Sequence, residues 1–246
     1  MTPDLWTDCS APAGPRFDRP FAREMKALPD CYLYGILDLG YVDAAAAPLV
    51  ARQMLAGGVD ILQIRAKRMP APAIVSLAEQ IAPLCRDHGA PLIINDHPWL
   101  VARCHAAGCH IGQDDGPLAA ARDKAGPETI AGRSSHRLDQ ARAARDEGAD
   151  YLGFGPIFAT PTKPDYVAIG LQDIAKVHRE VSDRPIFCIG GIKLENLEQV
   201  LAAGAQRVVI VSDLLRAPDI IAYAKACRSL LETDKLSTVD RRRSTA

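Results

Sequence analysis

The sequence predicts a parallel α/β fold, because short apolar runs of strand length alternate along the chain with longer Ala-rich stretches of helical spacing. Four of the helical stretches end on a glycine that leads directly into the next apolar run, as in AGGVDILQ and AAGCHIG. Glycine favours the left-handed conformation that follows a helix end. Eight such strand–helix units in about 200 residues are typical of a (β/α)8 barrel, or TIM barrel, and we predict that architecture in a single domain.

The predicted strands are short, and several are rich in Ile and Val. In chain order they are CYLYGIL (31–37), DILQIR (60–65), PLIIN (91–95), CHIG (109–112), TIAG (129–132), YLGFG (151–155), PIFCIG (185–190) and RVVIV (207–211). Helical stretches between them include APAIVSLAEQIAPLCRDHG and RLDQARAARDEG. An open doubly wound sheet is the alternative, and it is disfavoured because no G-x-G-x-x-G opens a helix after the first strand.

The barrel is predicted over residues 30–231, with an N-terminal extension at 1–29 and a polar C-terminal tail at 232–246. We expect the last helix to end near Leu231, because ETDKLSTVDRRRSTA is polar and charged and favours a loose tail. The extension carries prolines and acids where a signal peptide needs a basic start and an apolar middle.

Composition argues against several classes of partner. The net charge is -1 and only 5% of residues are aromatic, which disfavours nucleic acid. No apolar run approaches the roughly 20 residues that span a bilayer. The seven cysteines form no C-x-x-C pair, and the spacing in CHAAGCH matches no usual zinc site, so we expect reduced thiols in a cytoplasmic protein.

Polar residues or glycines follow the second to the eighth predicted strands, at the end where barrel enzymes carry their active sites. After the second strand, Gln63, Arg65 and Lys67 alternate and therefore share a face. Two cations entering one cavity are costly to desolvate unless an anion meets them. A solvated strand end explains this motif alone about as well.

Carboxylates follow the third and fourth strands, in NDHP and GQDD. Because these strands are neighbours in a barrel, Asp96 and either Asp114 or Asp115 would face each other across a short gap. Carboxylates beside a cationic cluster suit a Mg²⁺ ion that bridges to phosphate oxygens. Capping of the following helices is the alternative for each acid.

The later loops carry hydroxyls, one cation and glycines. GRSSH supplies Ser134, and GPIFATPTKPD supplies Thr160, Thr162 and Lys163 between prolines that restrict the backbone. The loops with IGGI and VSDLL follow strands seven and eight, the usual phosphate cradle of this architecture. Ordinary turns and caps explain single motifs, but their joint placement favours one site with a diphosphate end and a monophosphate end.

These motifs, in this order and spacing, resemble the thiamine-phosphate synthase (thiamine-phosphate pyrophosphorylase) family over about residues 30–231. The matching patterns are Q-x-R-x-K at 63–67, I-N-D at 94–96, H-[VI]-G-Q-[ED]-D at 110–115, G-x-S-x-H at 132–136 and G-P-[IV]-[FY]-x-T-x-T-K-x-D at 155–165. Two short patterns after the seventh and eighth strands also match, Gly-Gly-Ile at 190–192 and Val-Ser at 211–212. The sequence departs from the family at the first strand, where YGILDLGYV replaces an L-I-T-D-like ending, and at Ala159, where proline is frequent.

The resemblance implies a transferase that joins 4-amino-5-hydroxymethyl-2-methylpyrimidine diphosphate to hydroxyethylthiazole phosphate, giving thiamine phosphate and pyrophosphate with Mg²⁺ required. It implies that diphosphate leaves first and that the thiazole nitrogen attacks the resulting carbocation. It assigns the metal to Asp96 and Asp115, and catalysis to Arg65, Lys67, Ser134 and Lys163. The implied substrate-binding set is Gln63, Ile64, Arg65, Ala66, Lys67, Asn95, Ser134, Thr160, Pro161, Thr162, Lys163, Gly191, Val211 and Ser212.

Three alternatives use the same barrel. A thiazole tautomerase-like relative would tend to lack the diphosphate-binding set, and a non-catalytic phosphate-ligand sensor need not hold metal. A sugar-phosphate isomerase needs an acid/base pair, for which His136 is the candidate near a strand end, although we expect it to support its loop. The expected partners are small-molecule substrates, with neither nucleic acid nor membrane, and a homo-oligomer is left open.

Overall fold

The computed structural model describes residues 24–160 and 167–244. In these residues, eight parallel strands form a closed barrel in chain order, with β1 closing against β8. The predicted (β/α)8 barrel is therefore confirmed. The strands are β1 Leu33–Asp38, β2 Ile61–Arg65, β3 Leu92–Asn95, β4 Gly108–Ile111, β5 Ile130–Ser135, β6 Tyr151–Phe154, β7 Ile186–Cys188 and β8 Val208–Ile210.

Helices surround the barrel. The α-helices are α1 Ala47–Ala56, α2 Ala71–His88, α3 Leu118–Ala125, α4 Leu138–Asp146, α5 Ile174–Glu180, α6 Leu197–Ala202, α7 Ser212–Leu215 and α8 Ile220–Ser244, and 3-10 helices lie at Leu28–Asp30, Pro98–Leu100 and Leu194–Asn196. In the described chain, the connection from β3 to β4 holds one of these 3-10 helices and no α-helix. The alternation of strand and helix is incomplete at that point.

Helix α2 illustrates how the sequence builds the outer layer. Its buried residues recur at helical spacing, from Ile74 and Val75 to Ile81 and Cys85, so one face packs on the barrel. Pro70 precedes the helix in an extended conformation. Gly89 ends it in the left-handed conformation, at φ 65°, as the glycine punctuation predicts.

The core has an inner and an outer part, because successive residues of a strand point to opposite sides. The outer cluster lies between strands and helices and includes Leu62 and Ile64 of β2. The inner cluster consists of Cys31, Tyr34, Ile36, Ile61, Ile93, Tyr151, Phe187 and Val209. Every cysteine in the described ranges is a buried free thiol, as the sequence predicts.

Helix α8 corrects the expected end of the last helix near Leu231, because it continues to Ser244. The segment after Leu231 is polar, yet it has neither glycine nor proline to stop a helix. Arg228 Nε lies 2.7 Å from Glu232 Oε1, an i,i+4 pair that supports the first turn of this extension. A polar and charged composition does not by itself end a helix, so the expectation of a loose tail directly after Leu231 was wrong.

Asp60 lies at the amino-terminal end of the barrel, opposite the strand ends that carry the polar residues. Its carboxylate is buried, accepts hydrogen bonds from the backbone N–H groups of Tyr32 (2.9 Å) and Leu33 (3.1 Å), and pairs with Lys26 (2.5 Å) and Arg228. Burial alone would raise the pKa of Asp60, but these donors outweigh it and hold the pKa below its usual value. The cluster ties α8 and the segment before β1 to β2.

None of the helices in the described part of the chain combines the length and the apolar character needed to cross a bilayer. The division into extension, barrel and tail stays a prediction, and residues 1–23 lie outside the described residues.

Candidate active site

A cavity that opens to solvent lies at the carboxyl ends of the strands, with about 790 Å³ of empty space when the open solvent is included. Barrel enzymes carry out their chemistry at this end. Eight of the residues predicted to form the site line the cavity: Gln63, Arg65, Asn95, Ser134, Thr160, Gly191, Val211 and Ser212. Strand ends that are far apart in sequence therefore contribute to one space.

Arg65 is held at the cavity wall by a carboxylate of the neighbouring strand. Asp38 is the register partner of Arg65, and Arg65 Nη1 donates to Asp38 Oδ2 over 2.5 Å. The Asp38 side chain is 4% exposed, and its Oδ1 accepts a further hydrogen bond from the Gly40 N–H at 2.9 Å. A guanidinium has five N–H donors, so the remaining donors stay available to an anion in the cavity.

The rest of the Gln63–Lys67 segment divides between core and rim. Ile64 is buried in the outer core and Ala66 is also buried, and neither residue lines the cavity. Lys67 is half exposed, and its Nζ lies 3.2 Å from Asp96 Oδ2. Asp96 has φ 62°, a left-handed conformation that is uncommon outside glycine and asparagine and concentrates at functional sites.

The two predicted metal ligands follow adjacent strands. Asp96 comes directly after β3, whose last residue pairs with His110 of β4. Asp115 lies in the loop after β4, where its Oδ2 accepts a hydrogen bond from the Gly112 N–H at 2.6 Å. Within the described residues, no group of three or more His, Cys, Asp and Glu side chains is arranged to hold a metal. A pair of carboxylates fits Mg²⁺, which takes one or two carboxylates together with waters and substrate phosphates, better than it fits zinc.

Gln63 and Ser134 are linked beneath the cavity. Gln63 Nε2 donates to Tyr34 OH at 2.7 Å, and Tyr34 OH lies 2.9 Å from Tyr151 OH. His110 connects Tyr151 to Ser134, because its Nδ1 lies 3.1 Å from Tyr151 OH and its Nε2 lies 2.9 Å from Ser134 Oγ. Burial raises the pKa of both tyrosines, so their hydroxyls stay protonated.

The glycine turn after β7 packs tightly against the loop after β6. A Cβ on Gly190 would lie 2.4 Å from Pro156 Cα, and one on Gly191 would lie 2.7 Å from Phe158 Cβ. Both glycines also have positive φ, so turn geometry and close approach each require glycine here. The Phe158 N–H donates to the Gly190 carbonyl at 2.9 Å.

The loops after β7 and β8 are braced by α8. Tyr223 OH accepts a hydrogen bond from the Leu194 N–H at 2.7 Å and donates to Asp213 Oδ2 at 2.8 Å. This bridge holds the start of α7, where Ser212 lines the cavity, close to the turn that contains Gly191. On the other side of the cavity, His136 Nδ1 bonds the Gly155 carbonyl, consistent with support of its loop.

Three of the predicted substrate-binding residues, Pro161, Thr162 and Lys163, lie outside the described residues. Four residues that matter to the geometry were not in the predicted set: Asp38, Tyr34, His110 and Tyr151. Asp38 carried a signal, since it is an acid at the end of the strand beside Arg65. The two tyrosines gave none, because each stands in an apolar strand that suits the core equally well.

A family model described as thiamine monophosphate synthase matches residues 33–214. The chain belongs to that family. It is 44% identical over 178 residues to a thiamine-phosphate synthase of Thermus thermophilus, covering 72% of this chain and 85% of the relative. It is 39% identical over 204 residues to that of Halalkalibacterium halodurans, covering 82% and 96%.

A longer relative and a solved structure agree with this placement. The chain is 42% identical over 185 residues to a bifunctional thiamine biosynthesis protein of Symbiobacterium thermophilum; the match covers 75% of this chain and 38% of that protein. The thiamine phosphate pyrophosphorylase structure from Pyrococcus furiosus superposes with a TM-score of 0.75 at 29% identity, covering 83% of this chain and 96% of the other.

Proposed function

We propose that this protein is a thiamine-phosphate synthase, which joins 4-amino-5-hydroxymethyl-2-methylpyrimidine diphosphate to hydroxyethylthiazole phosphate and releases pyrophosphate. The observation that carries the proposal is the single cavity lined both by Arg65, Asn95 and Ser134 and by the glycine turn and Ser212, in a chain of this family. The cavity thus offers donors for two separate phosphate groups.

The reaction requires stabilisation of the negative charge that grows on the departing diphosphate, and alignment of the two rings. The proposal gives the first task to Arg65, whose guanidinium Asp38 holds in place, aided by the Asn95 amide and the Ser134 hydroxyl. Lys67 and Lys163 supply further positive charge. The thiazole nitrogen attacks with its own lone pair, so no general base is needed at that atom.

The thiazole phosphate is assigned to the opposite side of the cavity. There Gly191 offers backbone groups that a ligand can approach closely, and Ser212 offers a hydroxyl at the start of α7. The proposal assigns Thr160 and Thr162 to the same end. Val211, which lines the wall, supplies an apolar surface for the thiazole ring.

Mg²⁺ is proposed as the cofactor, held by Asp96 and Asp115. When bound, it would neutralise charge on the diphosphate oxygens. The Lys67–Asp96 contact supports this assignment, because a lysine beside a carboxylate of the metal pair would itself reach the same diphosphate. Cytoplasmic location and a homo-oligomeric state stay predictions.

The test is incubation of the purified full-length chain with both substrates and Mg²⁺, with pyrophosphate and thiamine phosphate measured together. The proposal predicts equal amounts of the two products when both substrates and Mg²⁺ are present. Binding of either substrate without turnover would favour a phosphate-ligand sensor, and conversion of the thiazole phosphate alone would favour a tautomerase-like relative.

A further inference from the structure

The hydrogen-bonded chain beneath the cavity has two ends that face the ligand. It runs from Gln63 through Tyr34, Tyr151 and His110 to Ser134, with successive distances of 2.7, 2.9, 3.1 and 2.9 Å. Gln63, His110 and Ser134 line the cavity, whereas Tyr34 and Tyr151 are 2% and 0% exposed. Tyr34, Tyr151 and His110 connect the two end groups, Gln63 and Ser134, which would touch substrate.

Packing fixes the inner rings. Tyr34 and Tyr151 meet edge to face at a centroid distance of 5.8 Å, and the ring of His110 stacks on Tyr151 at 5.5 Å. Gly132 lies beside Tyr151 in the β5–β6 register, and a Cβ there would lie 2.1 Å from Tyr151 Cζ. The glycine of the G-x-S-x-H motif thus makes room for the ring that places the Tyr151 hydroxyl.

The hydrogen-bonded chain from Gln63 to Ser134 can be arranged in two senses, which differ in the direction in which every group donates. Each hydroxyl has one proton, and a neutral imidazole has one donor and one acceptor nitrogen. If the Gln63 amide donates to Tyr34 and each tyrosine proton is used within the chain, then Tyr34 donates to Tyr151, Tyr151 donates to His110 Nδ1, and His110 Nε2–H donates to Ser134. The Ser134 proton then points into the cavity. Rotating the Gln63 amide reverses every bond, and Ser134 Oγ becomes an acceptor instead.

When each buried hydroxyl proton is used within the chain, the two ends are complementary, so that when one end donates to the ligand the other accepts. We propose that Tyr34, Tyr151 and His110 are positioning residues that fix Ser134 as a donor and Gln63 Oε1 as an acceptor for substrate. This sense rests on the proposed function, because diphosphate oxygens only accept hydrogen bonds and so require a donor at Ser134.

The consequence is a specificity element. With Nε2 turned to Tyr34, the carbonyl oxygen of Gln63 accepts from an N–H group, and the exocyclic amino group of an aminopyrimidine supplies one. A pyrimidine with an oxo group at that position would place an acceptor against an acceptor. Sites built around such a hydrogen bond reject the mismatched analogue by factors of about 10² or more.

The first experiment follows the His110 tautomer by ¹⁵N NMR of histidine-labelled full-length protein with inorganic pyrophosphate and Mg²⁺. The His110 signals are assigned by comparison with His110→Gln. We expect the proton on Nε2 in the wild type and on Nδ1 in Gln63→Glu, because an ionised carboxylate cannot donate and forces the reversed sense. A wild-type imidazole that carries its proton on Nδ1, or on both nitrogens, would overturn the proposal.

A second variant tests whether the coupling passes through the hydrogen bonds or through side-chain packing alone. Tyr34→Phe keeps the ring but removes the hydroxyl that joins the two halves of the chain. In that background, Gln63→Glu should leave the His110 tautomer unchanged. If the tautomer still switches, coupling does not pass through Tyr34 and the proposal fails. Thermal unfolding checks that each variant folds.

A kinetic readout tests the specificity element. The wild type should prefer the amino substrate over its oxo analogue by about 10²-fold or more in kcat/KM. Tyr151→Phe should reduce that preference by about tenfold or more, because Ser134 and Gln63 are then independent. An unchanged preference would contradict the coupling. If the protein makes no thiamine phosphate but the tautomer switches as expected, the proposed function fails while the coupled chain stands.

Discussion

Replacing Asp38 with Asn removes the charge that holds Arg65 while keeping the shape of the side chain. The pair is 2.5 Å apart, with Asp38 4% and Arg65 15% exposed. Breaking a fully buried ion pair costs about 3–5 kcal/mol. Arg65 reaches the open cavity, and the amide that replaces the Asp38 carboxylate in the variant still accepts one hydrogen bond. We therefore expect the free energy of unfolding to fall by about 2 kcal/mol. For a chain of this size that lowers Tm by about 4–8 °C.

The effect on catalysis follows from the same contact. A guanidinium that is no longer held in one orientation meets the departing diphosphate less well, and a misplacement of about 1 Å costs about 10²-fold in rate. We expect kcat to fall by about that factor. The KM for the pyrimidine diphosphate should not rise, because Asp38 no longer competes with the diphosphate for Arg65.

The assay is steady-state release of pyrophosphate, with thermal unfolding measured on the same preparations. Asp43→Asn is the matched control, since it makes the same chemical change at an exposed acid in the connection that follows β1. Pyrophosphate should restore part of the lost stability in Asp38→Asn, because it supplies an anionic partner for Arg65. A kcat within a factor of about two of the wild type would refute the positioning role of Asp38.

Further predictions concern the remaining charges. Lys163→Ala should lower kcat by about 10²-fold with folding intact by circular dichroism, because a cation that meets the diphosphate is lost, and near-normal pyrophosphate release would contradict this. Asp96→Asn combined with Asp115→Asn should abolish both activity and its Mg²⁺ dependence, and any surviving stimulation by Mg²⁺ would exclude the metal role. Asp60→Asn should cost about 3 kcal/mol in urea unfolding at pH 7. Because the folded-state pKa of Asp60 is depressed, that difference is complete above the unfolded pKa of about 4 and disappears as the pH falls through the folded value. Equal stabilities at pH 7 would show that the cluster contributes nothing.

The strands could be predicted from the sequence because each is an apolar run bounded by polar or glycine residues. The predicted run at 60–65 became Ile61–Arg65, and the run at 185–190 became Ile186–Cys188. Helix ends were harder to predict. The polar stretch after Leu231 contains neither glycine nor proline to stop a helix, so the prediction of a loose tail from its charge and polarity was wrong.

The site could be predicted as far as its motifs extend along single strand ends. Arg65, Asn95 and Ser134 line one cavity because parallel strands bring their carboxyl ends together. The link from Tyr34 to Tyr151 spans 117 residues and depends on which way each ring points inside the closed barrel. No local pattern encodes that contact, and it became visible only with the side chains in place.

The central claim is that side chains at one barrel mouth, with Arg65 foremost, stabilise the diphosphate as it departs. The most direct measurement is the turnover of Arg65→Ala with both substrates and Mg²⁺, with and without added guanidinium ion. The account predicts a fall in kcat of about 10²–10³-fold, of which guanidinium restores a part. Turnover close to that of the wild type in a folded Arg65→Ala protein would contradict it.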